Sequence, residues 1–411
     1  MKSDGNERWK EGKSMINDER ILLSSPHMSG NEQKYIKDAF DSNWIAPLGP
    51  NVTNFEKELA HYTKKKGASL TSSGTAAIHL ALACLGVGKG DRVFCSSFTF
   101  IASANPALYL GAELTFIDSE PSTWNMSPQA LERALFFAKK ENKLPKAIIV
   151  VNLYGQSADM DILLDIASLY GVPIIEDAAE SLGAEYKDKK SGTLGKIGIY
   201  SFNGNKIITT SGGGALVSDD EELLDKAFFL ATQAKDAAPY YQHSLVGYNY
   251  RMSNVLAGIG RAQLEILDKR VEKRREIFQN YFKELNPIEE IHFMPELEQS
   301  KSNRWLTTLV IDPFMTTVTP FEFMDRMNQA NIETRLLWKP LHLQPLFKHT
   351  KFYKHNERTP AVSELFFNMG ICIPSGSNMT EESQFKVIEE MKKILAPAKQ
   401  EQILWNKIQV G

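Results

Sequence analysis

The stretch KAIIVVNLYGQSADMDILLDIASLYGVPIIEDA (residues 146–178) decides the fold of this chain. It begins and ends with apolar runs, at residues 146–155 and 172–178, which have the length and composition of buried strands. Between them, residues 160–170 carry apolar side chains at helical spacing. A strand, a helix and a second strand in this order indicate parallel strands. The pattern predicts an α/β fold with a mostly parallel, doubly wound sheet.

The same alternation extends over residues 68–219. RVFCSSF (residues 92–98) and AELTFID (residues 112–118) are further short apolar runs, and the pair Ser127-Pro128 suits the N-cap and first turn of the helical segment that follows it. Ligands of such sheets bind beyond the carboxyl ends of the strands. The polar residues that end each run are therefore the candidate site residues.

Beyond Ser253 the pattern changes. Residues 255–285 predict one long charged helix with an apolar stripe, and shorter strand and helix patterns follow up to a final helix from Thr380. The expected parts of the chain are a disordered tail (residues 1–18), a large α/β domain (19–255), a connecting helix (256–285) and a small C-terminal α+β domain (286–411).

The first residues also raise the question of the native start. The codons for Glu11-Gly12 have the form of a ribosome-binding sequence and lie shortly before Met15. One hypothesis is that Met15 is the true start, and the alternative is a genuine flexible tail that begins at Met1.

Composition narrows the classes of function. A net charge of -3 over 411 residues gives no electrostatic attraction to nucleic acid or to an anionic membrane, so neither is an expected partner. Cys84, Cys95 and Cys372 are too few and too scattered for a disulfide framework or a zinc site. They predict buried thiols in a reducing cytoplasm, with no bound metal. No apolar run approaches the roughly 20 residues of a membrane span, and no signal peptide is recognisable.

Lys206 is the first candidate catalytic residue. It lies in SFNGNKIITTSGGG (residues 201–214), where an apolar stretch ends in a polar, glycine-rich turn. Burial lowers the proton affinity of an amine, and a neutral amine condenses with an aldehyde to a Schiff base. Most lysines are solvated surface charges, so only its neighbours can distinguish Lys206 from the others.

Two segments after predicted strands add to this candidate site. Ser73, Gly74, Thr75 and Ala76 begin a helix, whose free N–H groups suit an anion, with a plain serine cap as the alternative. Phe100 follows another strand, where its ring either stacks on a flat cofactor or packs in the core.

Asp177 ends a strand that is predicted to be buried, where a carboxylate needs a partner. A pyridinium nitrogen is one such partner, because the carboxylate keeps it protonated while the ring withdraws electrons. A salt bridge and a helix cap are the structural alternatives. If Asp177 begins a helix, Glu180 lies one turn further and faces the same ligand.

Together these residues carry a family resemblance. The chain resembles the DegT/DnrJ/EryC1/StrS aminotransferases, which use pyridoxal 5'-phosphate (PLP) to aminate nucleotide-linked keto sugars. The resemblance runs from about Arg20 to the C-terminal helix. Within the family, the chain is most similar to the aminotransferases of bacillar exopolysaccharide clusters and to those that make UDP-linked 4-amino-4,6-dideoxy-N-acetylglucosamine. Its markers are NWIAPLGPNVTNFE (residues 43–56), SSGTAAIHLAL (72–82), IEDAAES (175–181), SFNGNKIITTSGGG, YNYRMSN (248–254) and WKPLH (338–342). It implies the PLP-dependent aminotransferase fold type I, with a seven-stranded, mostly parallel sheet in the large domain.

The resemblance also implies roles for single residues. Lys206 forms the internal aldimine, Asp177 pairs with the pyridine nitrogen and Phe100 stacks on the ring. Glu180 stands where most relatives carry glutamine, so a contact to the ring hydroxyl needs a proton from an unknown source. The implied phosphate ligands are Gly74, Thr75, Ala76, Ser201 and, from a second subunit, Asn254.

A phosphate ligand from a second subunit makes a homodimer with shared active sites the expected unit. The candidate substrate contacts are Trp44, Arg251 and His342, with Trp338 and Lys339 beside them. These side chains offer cations for a diphosphate and aromatic faces for a uracil ring.

The implied reaction transfers the amino group of glutamate to C4 of a UDP-4-keto-6-deoxy-N-acetylhexosamine, for exopolysaccharide or other glycan biosynthesis. The alternatives are a dTDP-4-keto-6-deoxy or 3-keto sugar and a noncatalytic binding or regulatory protein. Dehydratases of this fold carry histidine in place of the Schiff-base lysine, so Lys206 opposes that activity. Residues 212–214 lack the spaced glycines of a dinucleotide oxidoreductase.

Overall fold

The computed structural model describes residues 20–409, with side chains up to residue 396. The predicted tail (residues 1–18) and the choice between Met1 and Met15 lie outside the described residues. The α-helices are α1 (Glu32–Asp41), α2 (Pro50–Thr63), α3 (Gly74–Cys84), α4 (Asn105–Tyr109), α5 (Pro128–Lys140), α6 (Met160–Ser168), α7 (Glu221–Ala231), α8 (Asn254–Leu264), α9 (Leu267–Leu285), α10 (Pro320–Gln329), α11 (Val362–Met369) and α12 (Glu381–Gln409).

The strands belong to three sheets. They are β1 (Gly67–Thr71), β2 (Arg92–Ser96), β3 (Glu113–Ile117), β4 (Ala147–Val151), β5 (Ile174–Asp177), β6 (Glu185–Tyr186), β7 (Lys189–Lys190), β8 (Ile197–Ser201), β9 (Gly214–Ser218), β10 (Ile291–Phe293), β11 (Ser300–Lys301), β12 (Thr307–Ile311), β13 (Arg335–Leu336), β14 (Lys351–Tyr353) and β15 (Gly370–Ile373).

Eight strands form the large sheet, in the order β1-β9-β8-β5-β4-β2-β3-β14. β9 runs antiparallel to β1 and β8, and the other neighbours are parallel. Seven strands of this sheet come from residues 67–218, and they confirm the predicted sheet. β14 is an addition at the edge, and it comes from the C-terminal part of the chain.

The strands of the large sheet are apolar along their whole length because helices cover both faces of the sheet. On β4, Ile148 and Val150 pack with Leu163 of α6 on one face. Ile149, between them in sequence, packs with Leu80 of α3 on the opposite face. All five residues of β4 are buried.

The C-terminal part of the chain builds a smaller antiparallel sheet, in the order β10-β12-β15-β13. Ile371 and Ile373 of β15 share a core with Ile277 of α9, Phe323 of α10 and Val387 of α12. Because β14 joins the large sheet and β11 pairs with β6, this part of the chain also contributes to the sheets of the N-terminal part. The domain limits given above stay a prediction.

The connecting helix differs from its prediction. Residues 255–285 form two helices, α8 and α9, and the break falls at Glu265 and Ile266. Ile266 leaves the helical region with φ -118° and ψ 8°. The Glu265 carboxylate at this break accepts hydrogen bonds from the Tyr35 hydroxyl and the Asn31 amide, so α8 is fastened to α1 while α9 continues along the small sheet.

The burial of the three cysteines differs in part from the expectation. Cys95 and Cys372 are buried, but Cys84 is only partly buried, and all three are free thiols. Among the described helices, none is long and apolar enough to cross a membrane.

Candidate active site

A cavity of about 450 Å³ lies at the carboxyl edge of the large sheet, where ligands of such sheets bind. The predicted site residues that line it are Gly74, Thr75, Phe100, Asp177, Glu180, Ser201 and Lys206. Further lining residues include Ser73, Ser103, Asn203, Asn205, Trp305, Arg335 and Trp338. The structure thus brings together segments that follow β1, β2, β5 and β8.

The N-terminus of α3 opens into this cavity. The Ser73 hydroxyl accepts the N–H of Ala76 at 3.0 Å, which leaves the N–H groups of Gly74 and Thr75 for a ligand. The serine cap and the anion site are therefore compatible. Ala76 differs from Gly74 and Thr75, because its N–H is already bonded to Ser73 and it does not line the cavity. Its contact to a phosphate stays a prediction.

Glycines bring β9 close to this helix terminus. A Cβ at Gly214 would lie 2.4 Å from the backbone nitrogen of Gly74, whereas a Cβ at Gly212 would meet nothing within 4 Å. Backbone cannot move aside as a flexible side chain can, so the two positions should respond very differently to the same added methyl group.

We expect Gly214→Ala to lower the free energy of unfolding by about 1–3 kcal/mol, because the α3 terminus must shift to relieve the overlap. Thermal and urea unfolding of the cofactor-free protein would measure this change. Gly212→Ala is the matched control, with a change of no more than about 1 kcal/mol. Equal stability of the two variants would contradict the close approach of β9 to α3.

Asp177 ends β5 and is 4% exposed. Its carboxylate accepts hydrogen bonds from the Ser103 hydroxyl at 2.7 Å and from the Ala179 N–H at 3.2 Å. Burial raises the pKa of Asp177, and these two hydrogen bonds act in the opposite direction. An acid with this environment gains most from a cationic group that enters the cavity.

Lys206 and Glu180 face each other across the floor of the cavity. The Lys206 Nζ lies 3.7 Å from Glu180 Oε1 and 4.1 Å from the centre of the Trp305 ring. Glu180 Oε2 accepts the N–H of Tyr154 at 2.8 Å. Burial raises the pKa of Glu180, and the nearby Lys206 partly opposes this shift. Residue 180 lies in a turn rather than in the helix considered above, yet it reaches the same cavity.

Tyr154 organises the aromatic side of the site. Its backbone has φ 52°, a value that non-glycine residues seldom adopt, and this conformation directs its N–H to Glu180. Its ring lies between those of Trp305 and Trp338, with centroid distances of 6.4 Å to each. Phe100 is 51% exposed and lies 5.3 Å from the Trp338 ring, so its face is free for a flat ligand.

These groups fit PLP by their chemistry. The α3 terminus offers N–H groups to a phosphate, Asp177 offers a buried carboxylate to a pyridinium nitrogen, and Lys206 offers an amine to an aldehyde. Phe100 offers an aromatic face to the ring. Within the described residues, no cluster of three or more His, Cys, Asp or Glu side chains is arranged for a metal ion.

Asn254 does not line the cavity of its own chain. Its side-chain oxygen accepts the N–H groups of Asn51 and Val52 at 2.9 and 3.2 Å, and its nitrogen donates to the Trp44 carbonyl at 2.7 Å. Asn254 therefore caps α2, where Gly49 at the N-cap position has no side chain. The amide is thus engaged inside its own chain and 1% exposed, and its contact to a phosphate in a second subunit stays a prediction.

Of the predicted substrate contacts, Trp338 lines the cavity, whereas Trp44, Arg251, Lys339 and His342 do not. Arg251 pairs with Glu56 at 2.5 Å and its side chain is 7% exposed. Both ring nitrogens of His342 have partners, the Ser97 hydroxyl at 2.7 Å and Glu364 at 3.0 Å. These two residues hold parts of the fold together.

Trp44 is 43% exposed and lies outside the cavity lining. Sequence reasoning missed Trp305 and Arg335 as lining residues, and it missed Tyr154, whose ring lies between those of Trp305 and Trp338. Arg335 is three residues from Trp338, a candidate substrate contact, and this proximity was a usable signal. Trp305 and Tyr154 look like ordinary core aromatics in sequence.

Comparison with known proteins assigns the family. The model of the DegT/DnrJ/EryC1/StrS aminotransferase family matches residues 26–392. This chain belongs to that family. It is 60% identical over 370 residues to EpsN of Bacillus subtilis, whose name describes a pyridoxal phosphate-dependent aminotransferase, with 90% of this chain and 94% of EpsN covered.

Other members of the DegT/DnrJ/EryC1/StrS family support the same conclusion. GDP-perosamine synthase of Caulobacter vibrioides is 35% identical over 379 residues, or 92% of this chain and 98% of that enzyme. The crystal structure of a family aminotransferase from Brucella abortus superposes with a TM-score of 0.82 at 28% identity, covering 89% and 95% of the two chains. The protein is thus a PLP-dependent sugar aminotransferase of fold type I.

Proposed function

We propose that this aminotransferase moves the amino group of glutamate to C4 of a UDP-4-keto-6-deoxy-N-acetylhexosamine, and that the product serves exopolysaccharide or another glycan. The observation that carries the catalytic part is the Lys206 amine, which shares one buried cavity with Asp177 and Glu180. The 60% identity to EpsN and the resemblance to UDP-sugar aminotransferases support the choice of sugar. The scattered cysteines support the cytoplasm as its location.

The catalytic roles follow from these positions. Bound PLP supplies an electron sink for the carbon that loses its proton. Lys206 Nζ takes the α-proton of glutamate in the first half of the reaction and delivers a proton to sugar C4 in the second. The Asp177 carboxylate holds the proton on the ring nitrogen. Because one lysine serves as base and acid in turn, we expect ping-pong kinetics.

A side chamber supports the keto-sugar assignment. It has a volume of about 280 Å³, adjoins the main cavity and shares Asn205, Trp305, Arg335 and Trp338 with it. Its other walls are mainly apolar, from residues such as Leu22, Leu23, Pro26, Leu306 and Leu336. An apolar chamber beside the reacting amine suits the methyl groups of a 6-deoxy sugar and its acetamido substituent.

Arg335 is the proposed anchor for an anionic part of a substrate. Lys206 and Arg335 are the basic side chains among the described residues that line the two cavities. The Arg335 side chain is 64% exposed and pairs with Glu333 at 2.8 Å. Glu333 occupies the Nε/Nη2 edge of the guanidinium, and the Nη1/Nη2 edge remains to bind a substrate carboxylate with two parallel hydrogen bonds.

We expect Arg335→Leu to raise KM for glutamate by about tenfold or more, which corresponds to about 1.4 kcal/mol, with a smaller change in kcat. Steady-state kinetics with each substrate varied in turn would measure both constants. Arg335→Lys keeps the charge and should lose less. An unchanged KM for glutamate would remove Arg335 from donor binding, and a raised KM for the nucleotide sugar alone would assign it to the diphosphate.

We further propose that the working unit is a homodimer. The segment between α7 and α8 exposes Tyr240, Tyr241, Leu245 and Val246, whose exposed fractions are 65%, 84%, 57% and 81%. Four neighbouring apolar side chains in water are typical of an interaction surface. Light scattering after size exclusion should give twice the chain mass, and a monomer at micromolar concentration would contradict this proposal.

The substrate can be tested directly. The purified protein is incubated with glutamate and with UDP-, dTDP- and GDP-linked 4-keto-6-deoxy sugars, and product mass and NMR locate the new amine. We expect an amine at C4 of the UDP-linked acetamido sugar. Turnover of the dTDP sugars alone, or of the GDP sugar alone, would refute the UDP-linked substrate. The GDP sugar is included because one relative is named GDP-perosamine synthase.

A further inference from the structure

Glu180 and Lys206 form a buried ion pair with little access to water. Their side chains are 5% and 13% exposed, and 3.7 Å separates the carboxylate from the amine. The second carboxylate oxygen of Glu180 is held by the N–H of Tyr154 at 2.8 Å. A carboxylate at this depth is stable only while a positive charge stands near it.

Binding of the cofactor changes this charge balance. A protonated amine has no lone pair, so Lys206 must lose a proton before its nitrogen can attack the cofactor aldehyde. The positive charge opposite Glu180 then disappears, and an isolated carboxylate would be left in the floor of the cavity. The proton therefore needs an acceptor, and Glu180 needs a proton.

We propose that Glu180 accepts the proton that Lys206 gives up and stays protonated while the cofactor is bound. An N–H bond of the ammonium breaks and an O–H bond forms on Glu180 Oε1, which leaves a neutral amine and a neutral carboxyl group. The amine lone pair then forms the bond to the aldehyde carbon, and the aldehyde oxygen departs as water with the two remaining amine protons. The inference rests on the assignment of Lys206 proposed above.

The neutral carboxyl group has a use in the site. A carboxylate only accepts hydrogen bonds, whereas a protonated carboxyl group donates one. With the proton from Lys206, Glu180 becomes a donor, as the amide of a glutamine would be at this position. It can then donate to an anionic oxygen of the bound cofactor, such as that of the ring hydroxyl.

The other titratable groups around Glu180 are less suited to accept the proton of Lys206. Asp177 is the competing acceptor, but two hydrogen bonds, from Ser103 and Ala179, stabilise its ionised form, whereas Glu180 accepts one, from the N–H of Tyr154. The nearby Tyr154 and Cys372 are neutral, because burial raises the pKa of both groups far above the physiological range.

The first test counts protons during cofactor binding. PLP is titrated into the cofactor-free protein by calorimetry, in two buffers of different ionisation enthalpy at the same neutral pH. Glu180→Gln keeps the size of the side chain but cannot accept the proton, so the variant should release about one proton more per bound cofactor than the natural protein. Glu364→Gln removes a carboxylate outside the cavity and should match the natural protein. Equal proton counts for the Glu180→Gln variant and the natural protein would overturn the proposal.

A second test covers a variant that binds PLP too weakly for calorimetry. Pyridoxal is trapped on Lys206 with cyanoborohydride, the labelled peptide is identified by mass, and the rate is followed against pH. In the natural protein the rate should be nearly independent of pH, because the proton moves to Glu180. In Glu180→Gln it should rise by up to about tenfold per pH unit, because the proton must then leave to the solvent. The same slope in both proteins would refute the transfer to Glu180, whereas labelling at another lysine would refute the assignment of Lys206.

Discussion

Lys206→Ala is expected to lower kcat for transamination by about 1000-fold or more, in a protein that remains folded. The amine is the group in the described cavity placed to carry protons between glutamate and the sugar, and alanine supplies neither base nor acid. The α3 terminus, Asp177 and Phe100 remain in the variant, so it should still hold PLP without a covalent bond. Product formation from glutamate and the keto sugar measures kcat, and absorbance after gel filtration measures retained cofactor.

A matched lysine separates this effect from a general loss of charge. Lys196 lies outside the cavity and pairs with Asp220 at 2.8 Å, with 45% of its side chain exposed. Lys196→Ala should keep the rate of the natural protein, because exposed ion pairs contribute little. Addition of a small primary amine such as methylamine should restore part of the activity of Lys206→Ala. Transamination at the natural rate by Lys206→Ala would refute the assigned role.

Asp177→Asn is expected to lower kcat by about 100- to 1000-fold with little change in stability. The amide oxygen of asparagine can still accept the Ser103 hydroxyl, so the local structure has no reason to change. A neutral amide cannot hold a proton on the pyridine nitrogen, and the cofactor then accepts electrons less readily. Exchange of the glutamate α-proton in deuterated water, followed by NMR, reports this step directly.

Ser103→Ala tests the same hydrogen-bonded pair with a smaller change than Asp177→Asn. It removes the 2.7 Å hydrogen bond that orients the carboxylate but leaves the charge in place. Loss of one such bond costs about 1–1.5 kcal/mol, or about tenfold in rate. A larger effect of Ser103→Ala than of Asp177→Asn would show that the hydroxyl, and not the charge, carries the function of this pair.

Much of the local structure could be read from the sequence, because its causes are local. Ser73 and Ser127 cap α3 and α5 as predicted, since a serine hydroxyl reaches the N–H three residues ahead. The apolar run of β4 predicted a strand covered on both faces. The rule that sites lie at the carboxyl ends of parallel strands indicated Asp177, and the family resemblance added Lys206. The structure places both at one cavity.

Three predicted site residues have hydrogen-bond partners that are distant in the chain, which the sequence did not indicate. Asn254 bonds to the backbone of residue 51 across 203 positions, Arg251 pairs with Glu56 across 195, and His342 meets Ser97 across 245. Each had a plausible ligand in the family pattern. Only the folded chain shows that its hydrogen-bonding groups already have partners.

By itself, the sequence determined the α/β class, because periodicity, helix capping and strand order act over short segments. Its motifs determined the family, and the resemblance to that family implied the seven-stranded sheet and the lysine at the centre of the site. Tertiary structure alone decided that residues 255–285 form two helices, that Asn254 caps α2 and that Glu180 faces Lys206. Such contacts form only when distant segments pack, because burial forces each polar group to find a partner in space rather than in sequence.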